Sequence, residues 1–540
     1  MTRFPVLCTL CCAAFFLAAA DINAHAQTFS VLYDFGTHNG DPANPVASGL
    51  IAQGRDGNLY TTSPFGGTND LGTVFRITPT GTLLVLHSFD ATQGSPLSGL
   101  TLGTNGNFYG TTSNGGTSGV GTVFKVTPGG VLTVLHNFAG GSEGANPDAP
   151  PIQATDGNWY GTTTGGGAGG GTVYKMTPAG ALTTLHSFNF ADGYQPIAPL
   201  VQGTDDNLYG TTKQGGNSGA RGVVYKITRA GMLTVLFNFD GTHGVAPVSP
   251  LFQARDGNFY GTTEGGGGIG GGVVFKITPA GKLTVLHDIN GGSEGAEPDA
   301  GLVQASDQNL YGGNSSGDLA NQGDLFRISL GGSYSVVHDF DASNGGEPDV
   351  TPFQHTNGIL YGDARNGGSG NRGVFYSLDA ALPAFVSFLP AAGKVGATIQ
   401  FLGQGFTGTT AVSFNGTPAQ FSVKSATFLT ATVPNGALTG FVTVTTPGGP
   451  LTSDRMVRLT PQLLSFAPPS GPVGTQVTIT GASLTQTKGV GFGNHVPAQF
   501  TVNSDTQVTA TVPAGAKTGK IGIETKGGIA ISAGTFTVTQ

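Results

Sequence analysis

The chain has 540 residues, 92 of them glycine, with only 10% charged and a net charge of −8. An apolar fraction of 38% with 34 phenylalanines excludes a disordered polymer. No block of lysine and arginine occurs, so nucleic acid is not expected as a partner. Cys8, Cys11 and Cys12 all lie near the N-terminus, which leaves the rest of the chain without disulfides, thiolate metal sites or a cysteine nucleophile.

Residues 1–26 read as a signal peptide. Arg3 supplies a minimal positive start, residues 4–20 are apolar, and Ala24-His25-Ala26 is a small-x-small cleavage site. The mature chain is expected to begin at Gln27 with no transmembrane segment after cleavage, and the C-terminal Thr535–Gln540 carries no apolar tail. The expected location is secreted or at the cell surface of a bacterium, with the periplasm as the alternative.

From residue 28 to about 380 one pattern repeats. Its tyrosine recurs at Tyr60, Tyr109, Tyr160, Tyr209, Tyr260, Tyr311 and Tyr361, a period near 50. A period of this length with several short apolar runs per unit signals a propeller blade. Each unit reads as four strands. In the fifth these are 251–254, 259–263, 273–278 and 283–287, with turns at Asp256-Gly-Asn258 and Pro279-Ala-Gly281. The seventh unit stops after 374–378, without its fourth strand. The missing piece stands at the other end of the chain as Phe29-Ser-Val-Leu-Tyr-Asp-Phe35, so the spacing predicts that it completes the last blade and closes the ring.

Asp156-Gly-Asn-Trp-Tyr-Gly-Thr-Thr163, Gly171-Thr-Val-Tyr-Lys175 and Leu182-Thr-Thr-Leu-His186 resemble the GloVer-type tandem repeats of the choice-of-anchor family of secreted bacterial proteins. The resemblance implies export and surface association, and no known chemistry.

After Pro383 the period changes to two copies of about 80 residues. Val395-Gly-Ala-Thr-Ile-Gln-Phe-Leu-Gly403 matches Val473-Gly-Thr-Gln-Val-Thr-Ile-Thr-Gly481, and Thr430-Ala-Thr-Val-Pro434 matches Thr509-Ala-Thr-Val-Pro513. Alternating Val, Ile, Thr and Phe with Gly/Pro turns predicts β-sandwiches. The copies resemble IPT/TIG domains, an immunoglobulin-like family that implies a spacer or binding module. The expected fold class is thus all-β: a seven-bladed β-propeller (27–382) followed by two immunoglobulin-like β-sandwiches (383–460 and 461–540).

Three sets of repeated polar residues are candidates for a site. Gln53, Gln153, Gln202, Gln253, Gln304 and Gln354 recur on the innermost strand, with Leu102 in the second unit; they either bond between blades or line the channel for water or a small polar ligand. His87, His136, His186, His287 and His338 share one position on the outer strand, too far apart to hold one metal ion, and are expected to be structural. Arg76, Lys125, Lys175, Lys226, Lys276 and Arg327 read as a solvated strand face.

The loops between strands two and three, and those between blades, are long and varied and share one face. Recognition is expected there. Glu143, Asp148, Glu294, Glu297, Asp299, Glu347 and Asp349 lie in the inter-blade loops, where they serve solubility or form a rim that hydrogen-bonds sugar hydroxyls. Calcium is the one cation their oxygens admit, and no other cofactor is expected. No nucleophile elbow, His-Glu-x-x-His or P-loop occurs. The sequence therefore favours a non-enzymatic binding or scaffolding protein whose partner is an extracellular glycan or protein. A carbohydrate-active or lactone-type propeller enzyme and a structural surface-layer component are the alternatives.

Overall fold

A computed structural model describes residues 27–45, 50–317, 320–493, 495–525 and 527–540. The expected signal peptide lies outside the described residues. Among them, no helix is long and apolar enough to cross a membrane.

Residues 28–379 form seven four-stranded antiparallel sheets among the described residues. The fifth is typical: Phe252–Gln253, Phe259–Thr263, Val273–Ile277 and Leu283–Asp288 lie side by side in chain order. The third strand is covered on both faces, so that Val273, Val274, Phe275 and Ile277 are buried and Lys276 alone stands half-exposed. The seventh sheet takes Phe353–Gln354, Leu360–Ala364 and Val374–Asp379 from the end of the repeats and Thr28–Asp34 from their beginning. Thr28 pairs with Asp379 and Asp34 with Val374. The backbone of Phe35 adds a bond to Gly373 O at 3.0 Å.

The turn chemistry explains the recurring Asp-x-Asn-x-Tyr. Asp256 accepts the Asn258 N–H at 3.0 Å and the Tyr260 hydroxyl at 2.8 Å, so one carboxylate holds both the turn and the next strand. Tyr60, Tyr160, Tyr209 and Tyr311 repeat the second bond to Asp56, Asp156, Asp205 and Asp307. Two of the third-strand cations serve the same carboxylates: Lys276 lies 3.2 Å from Asp256 and Arg76 3.9 Å from Asp56.

Neighbouring sheets meet through rings. The phenylalanine that ends one outer strand packs edge-on against an aromatic in the third strand of the next unit, as in Phe89–Phe124, Phe138–Tyr174, Phe188–Tyr225 and Phe239–Phe275. Tyr60 on Phe108, Tyr109 on Trp159 and Tyr209 on Phe259 add stacked pairs nearer the centre.

Residues beyond 383 form two sandwiches. In the first, Ser387–Leu389, Thr398–Leu402, Phe428–Thr432 and Phe421–Val423 make one sheet; Thr417–Pro418, Ala411–Phe414, Val442–Thr446 and Gly449–Thr452 make the other. Ile399, Phe401, Phe414, Leu429, Val442 and Val444 fill the space between them. The second copy repeats this arrangement around Val477, Ile479, Phe492, Val508, Ile521 and Ile523.

The first sandwich sits on the face of the repeat region that carries the short Asp-Gly turns. Thr427 donates to Arg55 O at 2.8 Å, and Gln400 to Thr104 O at 2.6 Å. Gln404 donates to the Thr356 hydroxyl at 3.0 Å, and Ser306 to Pro383 O at 3.0 Å. The Arg458 guanidinium lies 3.2 Å from Asp206, and Arg255 stands over the Phe441 ring at 5.6 Å. Gly57 shows how closely the two surfaces approach. Its φ of +78° suits the turn, and a Cβ there would come within 2.8 Å of Thr427 Cγ2.

Candidate binding surfaces of the repeat region

The expected glutamines form a ladder between sheets. The Oε1 of Gln153, Gln202, Gln253, Gln304 and Gln354 accepts the backbone N–H of Thr104, Thr155, Thr204, Arg255 and Ser306, each in the preceding unit, at 2.9–3.0 Å. Gln53 of the first unit makes the same bond to Thr356 of the last at 3.1 Å. The second amide position is occupied as well: Gln253 donates to Gly257 O at 2.9 Å and Gln354 to Gly358 O at 3.1 Å. Five of the six, all but Gln153, border a central space of about 940 Å³, with their amides drawn sideways into the ladder.

On the opposite face, in three units the residue that follows the second strand meets the loop that leads into its own sheet. Thr164 donates to Asp148 at 3.0 Å and Ser315 to Asp299 at 3.1 Å, while Arg365 lies 3.8 Å from Asp349 and 3.7 Å from Glu347. Lys213 and Glu264 occupy the same position in the fourth and fifth units and pair at 2.9 Å.

Burial dominates the electrostatics of these carboxyls. It pushes Asp148 up to about 6, with the Thr164 hydroxyl opposing. Asp299 is raised to about 7 by burial and by the charge of Glu264, and Asp349 to about 8 by burial and by the charge of Asp299. Asp363, which replaces the threonine of other units on the second strand, is 1% exposed with no hydrogen-bond partner on either oxygen. Burial, and after it Asp349, holds its carboxyl well above the usual range. Glu264 thus acts on Asp299 and Asp299 on Asp349, across three consecutive units.

The other loop acids lie apart from this group. Glu143 Oε1 is 3.0 Å from His136 Nε2, and Glu294 Oε2 is 3.0 Å from His287 Nε2. Each is folded onto the outer strand of the preceding unit, as is Asp192 onto His186 at 3.1 Å. The outer-strand histidines also stack between sheets, His287 on Tyr334 and His338 on Phe29. Glu297 is exposed beside this group. Among the described residues no three His, Asp or Glu side chains are arranged to hold a metal ion.

Lys213, Glu264 and Arg365 are the mouth residues that periodicity alone does not single out. Their signal is variation against a constant frame: the place after the second strand reads Pro64, Ser113, Thr164, Lys213, Glu264, Ser315 and Arg365.

Comparison with known families matches the Gloeobacter/Verrucomicrobia repeat over residues 20–169, 96–287 and 219–417, which together span well over half of the chain. The chain belongs to this repeat family. Its C-terminal part matches the IPT/TIG domain over residues 383–455 and 461–538. No curated protein matches the chain. Among solved structures, it is similar to SGBP-B from a complex xyloglucan utilization locus in Bacteroides uniformis, at 20% identity and a TM-score of 0.16. That match covers 28% of this repeat protein and 48% of the other, so the chain spans about half of that relative. It is also similar to a putative 6-phosphogluconolactonase from Bacteroides fragilis, at 18% identity and a TM-score of 0.41, over 65% and 91% of the two chains. A fungal alcohol oxidase in complex with copper matches at 13% identity and a TM-score of 0.37, over 92% and 98%. At these scores the likenesses carry no function to this repeat protein.

Proposed function

We propose that the seven sheets close into a seven-bladed β-propeller and that the protein works outside the cytoplasm as a non-enzymatic binding or scaffolding protein. Its partner is a glycan or protein, bound on the face of the long loops. The observation that carries the choice of face is the seat of the first sandwich, whose contacts through Arg55, Thr356, Ser306 and Arg458 cover the short-turn face. The long-loop face keeps its varied loops on a rigid frame. Around its mouth, Lys213, Glu264 and Arg365, with the buried Asp299 and Asp349 beside them, offer polar and charged groups of the kind that sugar hydroxyls or a polar protein surface engage. The test is a glycan array probed with the mature chain, followed by calorimetry of each hit, and of calcium, against a variant with Glu294, Glu297, Asp299, Glu347 and Asp349 changed to Ala. A tenfold or greater loss supports the face. Unchanged binding, with loss on altering the short-turn face, overturns it.

A second reading, a carbohydrate-active or lactone-type enzyme, is favoured by one observation: burial, helped by Glu264 at Asp299 and by Asp299 at Asp349, raises these two acids of neighbouring units into the range of a general acid. It requires turnover of a glycan or lactone by the pure protein that Asp349→Asn abolishes. Absence of turnover across both substrate classes leaves the binding reading.

A further inference from the structure

The central space between the repeat region and the first sandwich has a chemistry unlike either face. We infer that it is a binding chamber for a neutral, largely hydrocarbon small molecule, a second site separate from the recognition face proposed above.

The inner strands set the wall. At the position before the glutamine stand Val201, Phe252, Val303 and Phe353, each packed on one side against a core cluster and bordering the space on the other. All four are only half-buried, so each leaves apolar surface facing the space. The first sandwich supplies the roof with Phe385, Leu389 and Leu402. At the edge of the space, Phe441 and Met456 are 36% and 43% exposed. These two residues, with Arg255 of the fifth unit and Gln486 of the second sandwich, form a crevice through which a ligand can pass.

Volume and charge fix the class of ligand. About 940 Å³ lies within the range of small-molecule sites, which are concave and mostly apolar. The charged groups of the wall are already matched, except Arg255 at the edge, which stands over the Phe441 ring. Arg458 pairs with Asp206 at 3.2 Å, Arg455 with Asp454 at 3.4 Å, and Asp256 with Lys276 at 3.2 Å. The glutamine amides are committed to the ladder between sheets. Beyond Arg255 at the edge, an ionic ligand would have to break one of these pairs, and a sugar would find few free groups, the Thr101 hydroxyl and one Asp454 oxygen among them. A hydrocarbon molecule would instead remove from water the half-buried Val and Phe side chains, which is the favourable term.

The test uses the mature full chain and the neutral fluorophore N-phenyl-1-naphthylamine. Trp159 is the only tryptophan of the sequence and is buried in the third sheet. Its emission overlaps the absorption of this probe, so it reports binding nearby. The expected result is saturable one-to-one binding with a parallel fall in Trp159 emission. A Val201→Phe/Val303→Phe variant, which fills the chamber, should weaken binding at least tenfold. Ile529→Ser/Ile531→Ser, in the exposed edge of the second sandwich, should leave it unchanged. Should the chamber variant fail to fold, Phe441→Ser, which removes apolar wall at the edge of the space, takes its place, and a several-fold weaker binding is expected. Three results would overturn the inference: no saturable binding, binding without loss of Trp159 emission, or binding that follows Ile529 and Ile531 and not the chamber residues.

Discussion

Phe35 meets Phe75 edge-on, with ring centroids 5.6 Å apart and planes at 69°. This is the contact that Phe89 makes with Phe124 across the next junction, at 5.4 Å and 63°. Phe35 belongs to the N-terminal segment that completes the last sheet, and Phe75 to the first sheet. The same pair of units is joined by Gln53 and Thr356 and by His355 and Gly57 O, 3.0 Å apart. Phe35→Ala is expected to cost about 3–5 kcal/mol, as for other large buried aromatics. Deletion of residues 27–35 should go further and leave an open sheet edge that aggregates. Denaturant unfolding and light scattering check both. A deletion variant with the solubility and midpoint of the parent would contradict ring closure.

The glutamine ladder predicts a stability effect without a ligand effect. Gln253→Leu leaves the Thr204 N–H without its acceptor and should lower stability by about 1–3 kcal/mol. Calorimetry of any ligand of the long-loop face should show unchanged affinity. A selective loss of affinity with stability intact would mean that the amide serves the ligand and not the frame.

Asp349 predicts a pH dependence. An aspartate in an unfolded chain titrates near about 3.9, and the folded carboxyl is raised to about 8. Between these values the folded state holds the extra proton. Its contribution to stability is therefore full below about pH 4 and is lost as pH rises through about 8. Asp299, raised to about 7, acts in the same sense. Unfolding midpoints should fall from pH 5.5 to pH 8.5, and Asp349→Asn should flatten that fall. A variant with the pH slope of the parent would show that the carboxyl is not protonated in the folded protein.

The seat of the first sandwich predicts its own separation. Arg55 joins the Gln400 amide at 2.6 Å and stands over Phe428 at 4.7 Å, and Arg458 joins Asp206. Arg55→Ala with Arg458→Ala should detach the sandwiches while leaving both parts folded, seen as a larger radius of gyration in X-ray scattering and as new proteolysis near residue 383. Fragment 383–540 should unfold cooperatively on its own, since each sandwich has its own apolar core. An unchanged radius would place the interface energy elsewhere.

Much of the architecture was legible because the repeat states it many times over. Seven tyrosines at a constant period and one displaced outer strand point to seven sheets and to the pairing of Thr28–Asp34 with Val374–Asp379. The sandwiches were legible for the same reason, in two aligned copies. What repetition does not encode was hidden. The bond between Arg55 and Gln400 spans 345 residues, and neither side chain differs from an ordinary polar surface residue. Glu143 and Glu294 read as rim acids because their histidine partners lie on a different strand, six or seven residues away and on a surface that reads as purely structural. The chamber escaped notice because attention falls on the glutamine, while the residue before it carries the apolar wall.

The second unit breaks the ladder. Leu102 stands where the other units have glutamine, so the junction between the first and second units has no amide rung. Across this gap, the Arg55 guanidinium reaches Thr104 O at 2.8 Å while also holding Gln400 of the first sandwich. One side chain is thus both the splice between two units and the fastening of the appended domain. A tug on the C-terminal sandwiches is delivered in part to this joint, where backbone bonds from Leu50 to Ser98 O and from Leu100 to Leu50 O stand beside the missing rung. Load on the appended domain is therefore shared by two units at once, with Arg55 as the tie rod between them.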